Sequence, residues 1–109
     1  MGHNISEADW KVFRQIHQIA VERFSQQVLE EVQLIVSDAS ITAHERYGIL
    51  YGLMGRRNKE MARAFDDFRR STALEQLGLI KRLGVLTEEE LSMFSPDAQR
   101  VIRVWAGEQ

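Results

Sequence analysis

The sequence predicts an all-α fold built on a long antiparallel helical hairpin. Two amphipathic stripes and the short polar break between them carry that expectation. One stripe runs Trp10, Phe13, His17, Val21, Phe24, Val28, Val32 and Ile35. The other runs Tyr47, Leu50, Tyr51, Met54, Met61, Phe65, Phe68, Leu79 and Leu83. Steps of three and four place each set on one face of a helix. Between them, Ser37-Asp38-Ala39-Ser40 offers small side chains that compete for backbone hydrogen bonds and end the first helix.

Each element has its own start and stop. Ser6 caps the first helix, with Glu7 and Asp9 in its first turn, where the helix dipole favours negative charge. Thr42-Ala43-His44-Glu45 is a capping box that opens the second helix. Its stripe passes Phe68 and Thr72 to Leu83 without losing phase. That predicts one helix of about 40 residues, roughly 60 Å long; the competing reading breaks it at Ser71-Thr72, with Ser71 as a new cap. Gly84 is the expected stop, because glycine adopts the left-handed cap without steric cost. Thr87-Glu88-Glu89-Glu90 is a second capping box, and Ser95-Pro96 starts a last helix with proline at its first position. Ala98, Val101, Ile102 and Trp105 give that helix an apolar side.

At 109 residues the chain is one domain, residues 1–109. Its net charge of −2 argues against broad attraction to nucleic acid. With no cysteine, thiolate chemistry and disulfides are excluded. No apolar run approaches the roughly 20 residues a membrane span needs. No basic segment followed by an apolar one opens the chain, and a cytoplasmic location is the expectation.

The second stripe is close to a heptad seam: Tyr47, Met54, Met61 and Phe68 recur at sevens, with Tyr51, Asn58 and Phe65 four residues after the first three. This period suits a shallow crossing against another long helix. Two helices cannot enclose each other's seam. About 20 residues of short helix cannot shield some 45–60 Å of hairpin. A homodimer completing a bundle is therefore expected. Val12, Ile16 and Ile19 form a second apolar strip on the back of the first helix, either covered by the C-terminal helices or open to a partner.

No nucleophile elbow, phosphate loop, Glu-x-x-His pair or other transition-metal spacing is present, so no catalytic, cofactor or metal residue is assigned. A non-enzymatic interaction or regulatory protein is expected. Its candidate surface comprises Val12, Ile16, Ile19, Gly48, Tyr51, Gly52 and Gly55. Three glycines in eight helical residues cost roughly 1 kcal/mol each and suggest close approach of another backbone, with a bend or a binding groove as the alternatives. A runner-up is a nucleic-acid strip of Arg56, Lys59, Arg63 and Arg70, although Glu60, Asp66 and Asp67 lie among them and favour a solvated face laced with ion pairs. A third is a small-ligand site in the bundle near His17, Tyr51 and Asn58. His17 otherwise reads as a core histidine with a cross-helix hydrogen bond, and Asn58 equally as a register-setting break in the seam or as a seam edge facing water.

Ser6-Glu7-Ala8-Asp9-Trp10-Lys11 and the stretch from Arg63 to Leu74 resemble a group of small bacterial proteins of uncharacterised function. The resemblance implies a helical bacterial cytosolic protein and carries no activity. Leu83-Gly84-Val85-Leu86-Thr87-Glu88-Glu89-Glu90 is similar to the turn of short C-terminal oligomerisation modules.

Overall fold

A computed structural model describes residues 5–108. Among them the protein has five α-helices and no strand: α1 (Glu7–Val36), α2 (Ala43–Phe65), α3 (Ala73–Arg82), α4 (Glu88–Leu91) and α5 (Pro96–Trp105), with a 3-10 turn at Arg70–Thr72 before α3. Every cap expected from the sequence forms, save one. Ser6 Oγ accepts the Asp9 N–H at 3.1 Å. Thr42 and Glu45 exchange bonds of 3.1 and 2.9 Å at the start of α2. Thr87 and Glu90 do the same at 3.0 Å each before α4. Ser95 caps α5 ahead of Pro96. Gly84 takes φ +80° and closes α3 with paired bonds from its own N–H to Lys81 O and from Val85 N–H to Ile80 O.

The second helix is shorter than its stripe. It stops at Phe65, not near Leu83, and the expected cap at Ser71 does not form. Asp66 turns extended, and Asp67 adopts φ +58°, a left-handed conformation that a short polar side chain tolerates. Two freed carbonyls are taken by side chains: the Thr72 hydroxyl donates to Asp67 O at 2.7 Å, and the Gln76 amide donates to Asp66 O. Thr72, without a side-chain cap bond, precedes α3. The apolar phase survives the break because α3 carries its own amphipathic period, with Leu77 and Ile80 fully buried and Leu79 and Leu83 packed at the core edge.

Contacts between α1 and α2 run in opposite order along the two helices. Val36 meets Arg46, Glu31 meets Arg57, and His17 meets Phe65. Helices α3 to α5 pack beside the N-terminal part of α1. Arg23 reaches the Val85 carbonyl and Glu90, and Asp9 accepts the Ser95 N–H (2.8 Å) and hydroxyl (2.6 Å). The closest approach is at Gly78 of α3, where a Cβ would lie 2.1 Å from the Trp105 Cβ of α5.

All of this places the core at one end. Phe13, Ile16, Phe24, Phe65, Leu77, Ile80, Leu91 and Ile102 belong to one buried cluster. Between residues 29 and 63 the only buried apolar residue is Leu53. The molecule is accordingly elongated, 52 × 26 × 26 Å. Its radius of gyration of 16.4 Å exceeds the about 13 Å of a compact chain this long. It consists of a packed head and a two-helix arm, residues 29–60.

Candidate interaction surface

The arm leaves one face open. On α2, Tyr47, Leu50, Tyr51, Met54, Gly55 and Asn58 line a groove. A second groove, between the helices, shares Met54 and Asn58 and adds Val28, Leu29 and Met61. The two merge into one surface, and Val36, seven residues beyond Leu29, extends it along α1. Tyr51 is 78% exposed, Tyr47 62% and Leu29 61%. These are large side chains on α1 and α2, and among the described residues nothing covers them.

The heptad residues of α2 thus divide by depth. Phe65 and Met61 pack into or against the core, whereas Met54, Tyr51 and Tyr47 emerge toward the tip. Asn58 sits at the centre of the open face, between the two grooves. The one cation near it is Arg57. Its guanidinium is held by Glu31 (2.6 and 2.9 Å) and Glu60 (2.7 Å) and lies 5.4 Å above the Phe24 ring centre. This charge is already answered by two carboxylates, and no other charged side chain lines the two grooves.

The other residues singled out by sequence scatter. At about 100° per residue, Gly48 and Gly52 fall on a flank of α2 turned away from Leu53, whereas Gly55 lines the groove beside Tyr51. A Cβ at Gly48 or Gly55 would meet nothing within 4 Å, and at Gly52 only the Arg56 guanidinium at 3.7 Å. No backbone of this chain approaches them. The Val12, Ile16 and Ile19 strip does not form a surface: Ile16 is buried in the core, Val12 packs partly against it, and Ile19 alone is exposed.

Arg56, Lys59 and Arg63 share that outer flank, but the sevenfold repeat fails at its last member. Because α2 ends at Phe65, Arg70 lies in the 3-10 turn and bonds Glu7 (2.9 Å) and the Ile5 carbonyl (3.1 Å). Nor is the flank laced with ion pairs; among the described residues Arg56, Lys59 and Arg63 form none.

His17 belongs to the head. Its ring stacks on Phe68 at 3.8 Å between centres and donates from Nε2 to the Phe65 carbonyl at 3.3 Å. Burial pulls the imidazole below its ordinary pKa of 6.5, against the opposing pull of the Phe65 carbonyl. Fourteen residues, about 21 Å of helix, separate Phe65 from Tyr51. The three residues expected to converge on a small ligand therefore do not; only Tyr51 and Asn58 share a groove. Among the described residues no three His, Asp or Glu side chains converge as a metal site. No helix among them is long and apolar enough to cross a membrane.

Leu29 and Val36 were absent from the expected surface. The signal was there, since Leu29, Val32 and Val36 step by three and four, but this row runs beside the main stripe and reads as its margin. No family model, no curated protein and no solved structure matches the chain.

Proposed function

We propose that the protein is a non-enzymatic interaction or regulatory protein, and that its α1–α2 hairpin presents the open face of the arm to a helical protein surface. The observation that carries this reading is the separation of core from arm: the buried cluster sits in the head, while Leu29, Val36, Tyr47, Tyr51 and Met54 stand exposed on one side of the arm. Scattered exposed apolar residues are ordinary, but a large contiguous patch marks a contact site. Tyrosine and methionine suit such a site, the first as a large anchor with few torsions, the second as an adaptable filler. The heptad spacing on α2 matches the ridges of a partner helix crossing at a shallow angle.

The chain has no native thiol, so a single introduced cysteine is a clean probe. Tyr51→Cys and, on the outer flank, Lys59→Cys are compared by maleimide labelling in the cells that make the protein, each normalised to the unfolded chain. Position 51 is expected to react several-fold more slowly than position 59. Equal rates at the two positions would show that nothing docks on the face.

A further inference from the structure

We infer that the occupant of this face is the same face of a second copy of the chain, the two hairpins closing into a four-helix bundle. The inference rests on the reading of the arm as a docking surface and adds the identity of what docks there.

Area is the first argument. From their fractional exposures, Leu29, Val36, Tyr47, Tyr51 and Met54 together leave about 600 Å² accessible, the upper end of what a single chain normally shows as one patch. Two such faces laid together bury about 1,200 Å², which reaches the range of stable specific interfaces.

Self-complementarity is the second. A face that meets its own copy must not repel itself. Among the residues lining the two grooves the one charged side chain is Arg57, which is already engaged by two carboxylates of its own chain, Glu31 and Glu60. The remaining polar groups, on Ser25, Asn58 and the tyrosines, are neutral and able both to donate and to accept hydrogen bonds. A two-fold pairing therefore sets mainly neutral side chains against one another, with the one cation of each face held by carboxylates of its own chain.

Geometry is the third. A helix carrying seam residues at sevens packs against a similar helix, and a pair of such helices needs another pair to enclose it. In the head the same seam, at Met61 and Phe65, packs into the cluster that α3 to α5 share; along the arm it is left open. The open face draws residues from both helices, and a second hairpin offers two helices to meet it. Arg56, Lys59 and Arg63 lie outside the two grooves.

The test is sedimentation equilibrium of the full chain, alone and as Leu29→Glu, Tyr51→Glu and Lys59→Glu, with helical circular dichroism recorded for each. All three positions are exposed, so the substitutions leave the head intact. The wild type is expected at twice the 12.6 kDa of one chain. Leu29→Glu and Tyr51→Glu should weaken association by about a hundredfold or more, since each buries an unpaired carboxylate, while Lys59→Glu leaves it unchanged. A wild type that stays at single-chain mass up to about 100 µM overturns the second copy as occupant, and slow labelling of the Tyr51→Cys chain in cells then still upholds a different partner. A dimer that survives both Leu29→Glu and Tyr51→Glu unweakened also overturns the inference, by moving the contact off this face.

Discussion

Replacing Gly78 by alanine tests the packing of the head most directly. A Cβ there would sit 2.1 Å from Trp105 Cβ, 2.9 Å from its carbonyl carbon and 3.0 Å from its Cα. The obstacles are backbone and the root of a side chain, so no rotamer change relieves them. To restore an ordinary 3.4 Å separation, α5 must retreat from α3 by about 1.3 Å. A gap of that size forfeits much of the dispersion energy along the contact, where Leu77, Ile80, Ala98 and Ile102 are buried. Overpacking of this kind costs about 1–3 kcal/mol, and the upper end applies because a backbone blocks the way. Alanine's better helix propensity returns up to about 1 kcal/mol. The net expectation is a loss of about 2 kcal/mol, or a fall in Tm of about 8 °C for a domain of this size. Gly48→Ala and Gly55→Ala enter open space and should instead gain about 0.5–1 kcal/mol. Urea denaturation of the three variants measures the contrast. A Gly78→Ala protein as stable as the wild type would refute the α3–α5 packing.

Asp9→Ala should cost about 1–2 kcal/mol in the same assay, because it leaves the half-buried Ser95 N–H and hydroxyl without their carboxylate. Burial pushes the Glu90 carboxyl up, but its bonds to Arg23 and to the Thr87 N–H outweigh this and hold it below 4.5. The stability it contributes is thus present above that value and lost as pH falls through the folded pKa; Glu90→Gln should cost about 1–2 kcal/mol at neutral pH and flatten this acid limb. His17 titrates with the same sign for a different reason. Its folded pKa lies below 6.5, so the unfolded chain binds more protons and stability declines as pH drops below 6.5. His17→Phe should remove that slope between pH 7 and about pH 5, read as the pH dependence of the denaturation midpoint.

The helix starts were legible because capping is local chemistry. Thr42 with Glu45, Thr87 with Glu90, and Ser95 with Pro96 each specify a start within four residues. The break after Phe65 was not, because neither glycine nor proline marks it. Asp66 and Asp67 are weak helix formers, but the bonds that replace the helix come from Thr72 and Gln76, several residues further on. Gly78 gave no sign of its importance, since the backbone it admits lies 27 residues downstream, whereas the glycines that drew notice face open space. The candidate surface was half legible. The seam through Tyr47, Tyr51 and Met54 was visible in the sequence, but which part of it the head covers depends on where α3 to α5 fold back. That same folding took Ile16 into the interior.

The off-centre core also shapes how the chain comes apart. Tertiary anchoring is dense where α1 passes Phe13, Ile16 and Phe24 and thin from Leu29 to the polar turn, where Leu53 is the one buried apolar neighbour. A helix with few tertiary contacts is close to its own coil transition, whatever its caps. The distal turns of α1 and α2 therefore unravel together as a subglobal unit, at a fraction of the free energy needed to melt the rest. Amide exchange should rise steeply from Ile16 toward the loop. Any surface that clamps the tip would suppress this fraying, so protection there reports occupancy while the remainder of the molecule reads the same bound or free.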